Sequence, residues 1–193
     1  MSLLQIAPDS EDLLAPSRRR FLLAAAGAVA SVTYPSLGIA TDFWSQPREL
    51  WLTRPATGES VREVYWADGQ LVLPGYYRIC QLLRDVRINQ AVQFDIITLD
   101  IARGIYGWLQ SFGINRPIIV NSGYRHPSTN AGIEGAARSS LHTRAQALDV
   151  RIEGVSSESV ARFGLYLAGG GVGFYPGKNF THVDRGRVRY WRG

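Results

Sequence analysis

A single cysteine, Cys80, in a chain of 193 residues removes the covalent routes to a fold: no intrachain disulfide can close, and no multi-cysteine zinc knuckle can form. The chain must be held by a buried apolar core, and any metal must be taken by histidine and carboxylate. An apolar fraction of 46%, with 19% charged residues, supplies such a core and excludes a largely disordered chain. The length suits one compact domain rather than two independent ones. Cys80 continues an apolar helical pattern with Tyr76, Ile79 and Leu83, and reads as a buried structural thiol.

The formal charge of +5 is carried by arginine, since Lys178 is the only lysine. That balance invites an anionic partner such as a cell-wall or membrane surface. The arginines are scattered and no nucleic-acid module signature is present, so nucleic acid is not expected as a partner. Ser17-Arg18-Arg19-Arg20-Phe21-Leu22-Leu23, the apolar stretch from Ala24 to Val32, and Gly38-Ile39-Ala40 follow the order of an export signal and resemble the twin-arginine type. The apolar part is too short for a permanent membrane span. Residues 1–40 are therefore expected to be a signal peptide cut after Ala40, leaving residues 41–193 as one periplasmic domain; left uncut, the segment would act as an anchor.

In the remaining chain, Leu50 to Thr53 and Val61 to Trp66 are β-branched and aromatic and flank the turn cluster Pro55-Ala56-Thr57-Gly58, which predicts a hairpin. Asp68-Gly69 should turn the chain into a helix running from Pro74 or Gly75 to about Val86. A second helix is predicted over 94–112, with Ile97, Ile101, Ile105, Trp108 and Phe112 on one face and Gly113 as its stop. A short strand at 118–121, a long polar loop over 123–137, a strand at 147–152 and a helix opening at Ser156 or Ser157 come next. Short strands around 172–175, 181–184 and 188–191 close the chain. The plan is α+β, with a small antiparallel sheet and helices packed against it.

Of the three histidines, His142 and His182 stand near aspartates, Asp149 and Asp184. The odd separation of His142 and Asp149 would put them on opposite faces of a straight strand, so a bend must lie between them, with His142 on a loop and Asp149 on a strand. His182 and Asp184 are two apart in a β-like stretch and share a face. His142, Asp149 and His182 would form a two-nitrogen, one-oxygen set. A catalytic zinc commonly takes three protein ligands and leaves the fourth position to a water whose pKa falls to about 7. By ligand type alone the same set would accept cobalt, nickel or manganese.

Ser122-Gly123-Tyr124-Arg125, Asn130, Ser140-Leu141-His142 with Ala147-Leu148-Asp149, and Gly173-Phe174-Tyr175-Pro176 leading to His182-Val183-Asp184 closely resemble the murein endopeptidases of the MepK (YcbK) type. These belong to the zinc peptidase superfamily of D-Ala-D-Ala carboxypeptidases, L-Ala-D-Glu endopeptidases and the Hedgehog signalling domain. With Leu83-Arg84-Asp85-Val86-Arg87 and the early hairpin, the resemblance covers most of residues 49–193. It implies one zinc ion held by His142, Asp149 and His182, with Ser140 and Arg125 in the pocket wall. The implied activity is hydrolysis of peptide cross-links in peptidoglycan. Arg125 independently suits a peptide substrate, because a guanidinium grips a carboxylate or polarised carbonyl through two parallel bonds.

Two positions depart from the relatives' pattern. Ala145 stands where they usually carry glycine, which matters if the backbone there needs φ > 0. Asn179 stands where several carry an acid three residues before the last histidine, and it cannot accept a proton as a base would. Asp184 is then the leading candidate, as base or as the group orienting His182. His126 is a further catalytic candidate and Glu134 a weaker base, while Tyr124, Phe174 and Tyr175 are candidates for the cleft lining. The alternative to an enzyme is a non-catalytic zinc-stabilised domain that binds cell-wall peptides or a protein partner.

Overall fold

The computed structural model describes residues 43–193, so the expected signal segment, residues 1–40, lies outside the described residues. Strands β1 (Arg48–Arg54) and β2 (Glu59–Ala67) form the expected antiparallel hairpin across the Pro55–Gly58 turn. Asp68 and Gly69, at φ of 52° and 76°, make a two-residue turn into a short strand β3 (Gln70–Leu71), where direct entry into a helix was expected. Helix α1 (Leu73–Leu82) follows and stops before the expected Val86. Its end is fixed by two contacts: buried Arg54 takes the Leu82 carbonyl at 2.7 Å, and Asp85 pairs through its backbone with Gln90. Cys80 is buried on this helix and its thiol is pushed up by burial, as suits a packing residue.

Helix α2 (Ile96–Ser111) opens on Asp95, whose side chain accepts from the Thr98 amide at 2.9 Å. Its covered face is rotated from the expected one. Leu99, Ile101, Ala102, Ile105, Tyr106 and Leu109 are buried, whereas Ile97 and Phe112 are 46% and 67% exposed. Only Ile101 and Ile105 belong to both stripes. The helix lies on β1 and is flanked by a later helix, α4 (Ser157–Leu167), where Trp108 stacks on Phe163 at 4.6 Å. These neighbours decide which arc of the helix is covered.

Next come β4 (Ile118–Ser122), the short helix α3 (Pro127–Ala131), a 3₁₀ turn (Leu141–Arg144) and β5 (Ala147–Arg151). After α4, capped by Ser156, follow β6 (Gly171–Tyr175), a second 3₁₀ turn (Pro176–Lys178), β7 (Phe180–Asp184) and β8 (Arg189–Arg192). The strands join in one eight-stranded sheet, ordered β3-β2-β1-β4-β5-β7-β6-β8. The pairs β1/β4 and β6/β8 are parallel and the others antiparallel. The α+β class is as expected, but the sheet is large, open and mixed rather than small and antiparallel. Its extent follows from β4, which returns beside β1 after the two-helix excursion and so fuses the early hairpin to the later strands.

The core lies between this sheet and its helices, with Leu50, Leu52, Ile79, Leu99, Leu148 and Val183 fully covered. Each such aliphatic side chain contributes about 1.5–3 kcal/mol relative to exposure. No helix among the described residues is long and apolar enough to cross a membrane.

Candidate metal centre

The bend required between His142 and Asp149 is present. His142 sits on the first 3₁₀ turn, where the Ser140 hydroxyl accepts from its amide at 3.4 Å. Ala145 then adopts a left-handed conformation, φ 53° and ψ 40°, which swings the chain into β5. This is the backbone that glycine tolerates best, and the alanine methyl there is 1% exposed. Asp149 on β5 lies directly opposite His182 on β7 in the antiparallel register. All three side chains therefore meet: His182 Nδ1 is 2.8 Å from Asp149 Oδ1, and His142 Nε2 is 3.2 Å from both atoms.

The outer ring nitrogens are also fixed. His142 Nδ1 lies 2.7 Å from the Gly123 carbonyl, an acceptor only, so this nitrogen carries the proton and Nε2 a lone pair. Gly123 itself is packed on the Leu83 backbone, where a Cβ would lie 2.4 Å from the carbonyl oxygen. His182 Nε2 lies 3.0 Å from Asp184 Oδ2, so the neutral ring keeps its proton there and can turn an Nδ1 lone pair to a metal. Two imidazole nitrogens and a carboxylate oxygen thus converge, with their ligand atoms all within 4.8 Å of one another. Protons held between these atoms must leave for a divalent cation to take all three as lone-pair donors. The donor set fits a borderline-soft divalent ion such as zinc.

Electrostatics agree with this arrangement. Burial pulls the His142 imidazole down and keeps it neutral, the form a metal requires. In His182 burial acts the same way, but hydrogen bonds to Asp149 and Asp184 outweigh it and hold the ring above its ordinary value. Burial raises the Asp149 carboxyl, and the two imidazoles more than reverse this, leaving it well below the carboxylate range. Arg125 grips the other Asp149 oxygen through Nη2, while its Nε donates to Ser122 Oγ at 2.8 Å.

Asp184 is fully buried and its oxygens are saturated. It accepts from the amides of Gly171 (3.1 Å) and Gly186 (2.7 Å), from Arg189 Nη1 (3.0 Å) and Nη2 (2.7 Å), and from His182. Against the effect of burial, the bonds from His182, Arg189 and Gly186 hold its carboxyl well below the usual range.

The cluster opens onto a cleft of about 400 Å³ whose walls include Arg125, Glu134, Ser140, Tyr175, Lys178 and Trp191. Of the residues expected there from sequence, Tyr124 and His126 are not among those lining it. Tyr124 is core, at 8% exposure, because its amide bonds the Leu83 carbonyl at 2.8 Å and draws it inward. His126 caps α3, its ring 2.7 Å from Ser128 Oγ and its amide donating to buried Asp85 at 2.8 Å. Phe174 packs with Val172 and Ala161. Asn179 ends the second 3₁₀ turn at φ 49°, a conformation asparagine tolerates well. Sequence reading passed over Arg189 and Trp191, whose one available signal was their period-two spacing on β8 opposite the paired glycines of β6.

The family model for the peptidoglycan L,D-endopeptidase MepK matches residues 42–191, which include every residue of the cluster. The chain belongs to the MepK family. The peptidoglycan L,D-endopeptidase MepK of Escherichia coli strain K12 is 33% identical over 180 residues, covering 91% of this chain and 97% of that protein. The probable peptidoglycan L,D-endopeptidase MepK of Haemophilus influenzae is 32% identical over 182 residues, covering 92% and 96%. No solved structure matches. Membership of the MepK family thus spans the whole sheet and is not a local motif match.

Proposed function

We propose that this protein is a zinc-dependent murein endopeptidase that hydrolyses peptide cross-links of peptidoglycan in the periplasm, after export on a twin-arginine-type signal. The observation carrying this reading is the convergence of three possible ligand atoms, from His142, Asp149 and His182, on an open cleft in a chain of the MepK family. When bound there, zinc supplies Lewis acidity that lowers the pKa of a water to about 7 and polarises the scissile carbonyl.

The protein's own groups do the rest. Ser140 and Tyr175 on the cleft walls hold the peptide. Arg125, anchored to Ser122 and Asp149, turns its remaining N–H groups to the developing oxyanion. Asp184 orients His182 and does not act as the base: a buried carboxylate accepting five hydrogen bonds and held at low pKa has no lone pair to offer a substrate proton. Glu134, a cleft carboxylate with no ion pair among the described residues, is assigned to proton transfer.

The test is to incubate the purified, zinc-loaded protein with cross-linked muropeptides, with and without chelator, and with His142→Ala as control. Chelator-sensitive conversion of dimers to monomers, absent in the variant, is expected, and product masses name the bond. Stoichiometric zinc with every bond intact, in muropeptides and whole sacculi alike, would overturn the enzyme reading in favour of a zinc-stabilised binding domain.

A further inference from the structure

We propose that Arg189 and Trp191 of strand β8 are positioning residues that hold His182 in its metal-binding pose, Arg189 through Asp184 and Trp191 against the imidazole ring; this rests on the metal centre proposed above.

The sheet order makes this contact unusual. His182 and Asp184 are on β7, and β6 separates β7 from β8. Strands two places apart lie about 10 Å from each other, beyond ordinary neighbour contact. Arg189 and Trp191 nonetheless reach β7 by lying across β6 at the two places where β6 has no side chain on that face. In the parallel β6/β8 register Arg189 is level with Gly171 and Trp191 with Gly173. A Cβ on Gly171 would sit 2.0 Å from Arg189 Nη1, and one on Gly173 would sit 2.5 Å from the Trp191 ring. Paired glycines on one strand and paired long side chains on the next are a matched crossing.

What the crossing delivers is a closed circuit around one imidazole. Arg189 meets both oxygens of Asp184, at 3.0 and 2.7 Å, the two-pronged geometry that lysine cannot reproduce. Its charge keeps a fully buried carboxylate ionised and its two bonds stop that carboxylate rotating, so Oδ2 stays aimed at His182 Nε2. Trp191 lies 5.2 Å from the His182 ring, donates its Nε1–H to the Tyr175 hydroxyl at 2.9 Å, and carries the Arg189 guanidinium 4.7 Å above it. Rotation of His182 about either side-chain bond would have to break the Asp184 bond or displace the indole.

The experiment measures the zinc dissociation constant of the full-length protein by competition with a chromophoric chelator, and the visible spectrum of the cobalt form. Groups that orient a metal ligand typically contribute ten- to a hundredfold in affinity. Arg189→Met is expected to weaken zinc binding by about that factor and to alter the cobalt spectrum, Arg189→Lys to recover part of the loss, and Trp191→Phe to weaken binding less. Because Arg189 acts through Asp184, Arg189→Met combined with Asp184→Asn should lose less affinity than the product of the two single losses. Folding is checked by circular dichroism; if Arg189→Met fails to fold, Arg189→Lys and Trp191→Phe carry the test. Folded variants with wild-type zinc affinity and an unchanged cobalt spectrum overturn the proposal, as do fully multiplicative losses. If the wild-type protein binds no zinc, the metal centre itself falls, an outcome visible before any variant is made.

Discussion

Ala145 shows how a small departure can sit at a demanding place. A left-handed residue with a Cβ costs about 1 kcal/mol, and here the methyl is also buried, which returns about the same amount. Ala145→Gly should therefore leave stability within about 1 kcal/mol of wild type in a denaturant titration. Ala145→Val, branched at Cβ and held at φ 53°, should cost about 2–4 kcal/mol and weaken metal binding, because the same turn aims His142. The histidines predict a pH dependence. His182 is held above its ordinary value and His142 below it, so as pH falls a proton reaches His182 first. Zinc affinity, measured by chelator competition from pH 8 down to 5, should fall with a slope of about one proton before steepening. A flat profile would show that His182 is not a ligand.

Among the elements, the segment between β4 and the first 3₁₀ turn is held by Asp85, a buried carboxylate outside the cleft. It accepts from the His126 amide at 2.8 Å and the Arg87 amide at 2.9 Å, tying the end of the α1 region to the start of α3. Asp85→Ala leaves those donors unpaired and should destabilise the protein by about 2–3 kcal/mol. Burial tends to raise this carboxyl, but bonds from Thr129 and the amides of His126, Arg87 and Ile88 hold it below its ordinary value. The stability it contributes is thus present above the unfolded carboxylate pKa and lost as pH falls through the lower folded value, a loss the variant should not show in acid denaturation. The sequence displayed the local parts of this architecture well. β-Branched and aromatic runs around a turn cluster marked β1 and β2, Ser156 marked a helix start, and the odd spacing of His142 and Asp149 demanded a bend that the 3₁₀ turn and Ala145 supply. Period alone could not say which arc of α2 is covered, because β1 and α4 decide it from outside the helix. Nor could it reveal the pairing of β1 with β4 or β6 with β8, since parallel partners far apart in sequence leave no local signature. Arg189 and Trp191 were missed for the same reason: their meaning lies in glycines on a neighbouring strand.

At the level of the whole molecule, the proposed ion joins residues from β5, β7 and the turn before β5, so its removal should be felt as lost stability as well as lost activity. At free zinc a hundredfold above the dissociation constant, binding adds about 2.7 kcal/mol. A chelator should therefore lower the melting temperature measured by calorimetry, and His142→Ala should melt at the same temperature with or without it. Asp149 and His182 stand opposite each other on paired strands in the middle of the sheet order, where backbone hydrogen bonds fix their separation. His142 arrives from outside the sheet, on a short turn held by a Gly123 bond and a left-handed alanine. The centre is thus a vice with both jaws braced, one by strand pairing and the other by the Arg125 and Asp95 amides, which donate to the His142 and Ala145 carbonyls at 3.1 and 3.0 Å. An ion would therefore meet a grip whose width is set in advance by the sheet on one side and by the braced turn on the other, so its radius must suit the gap.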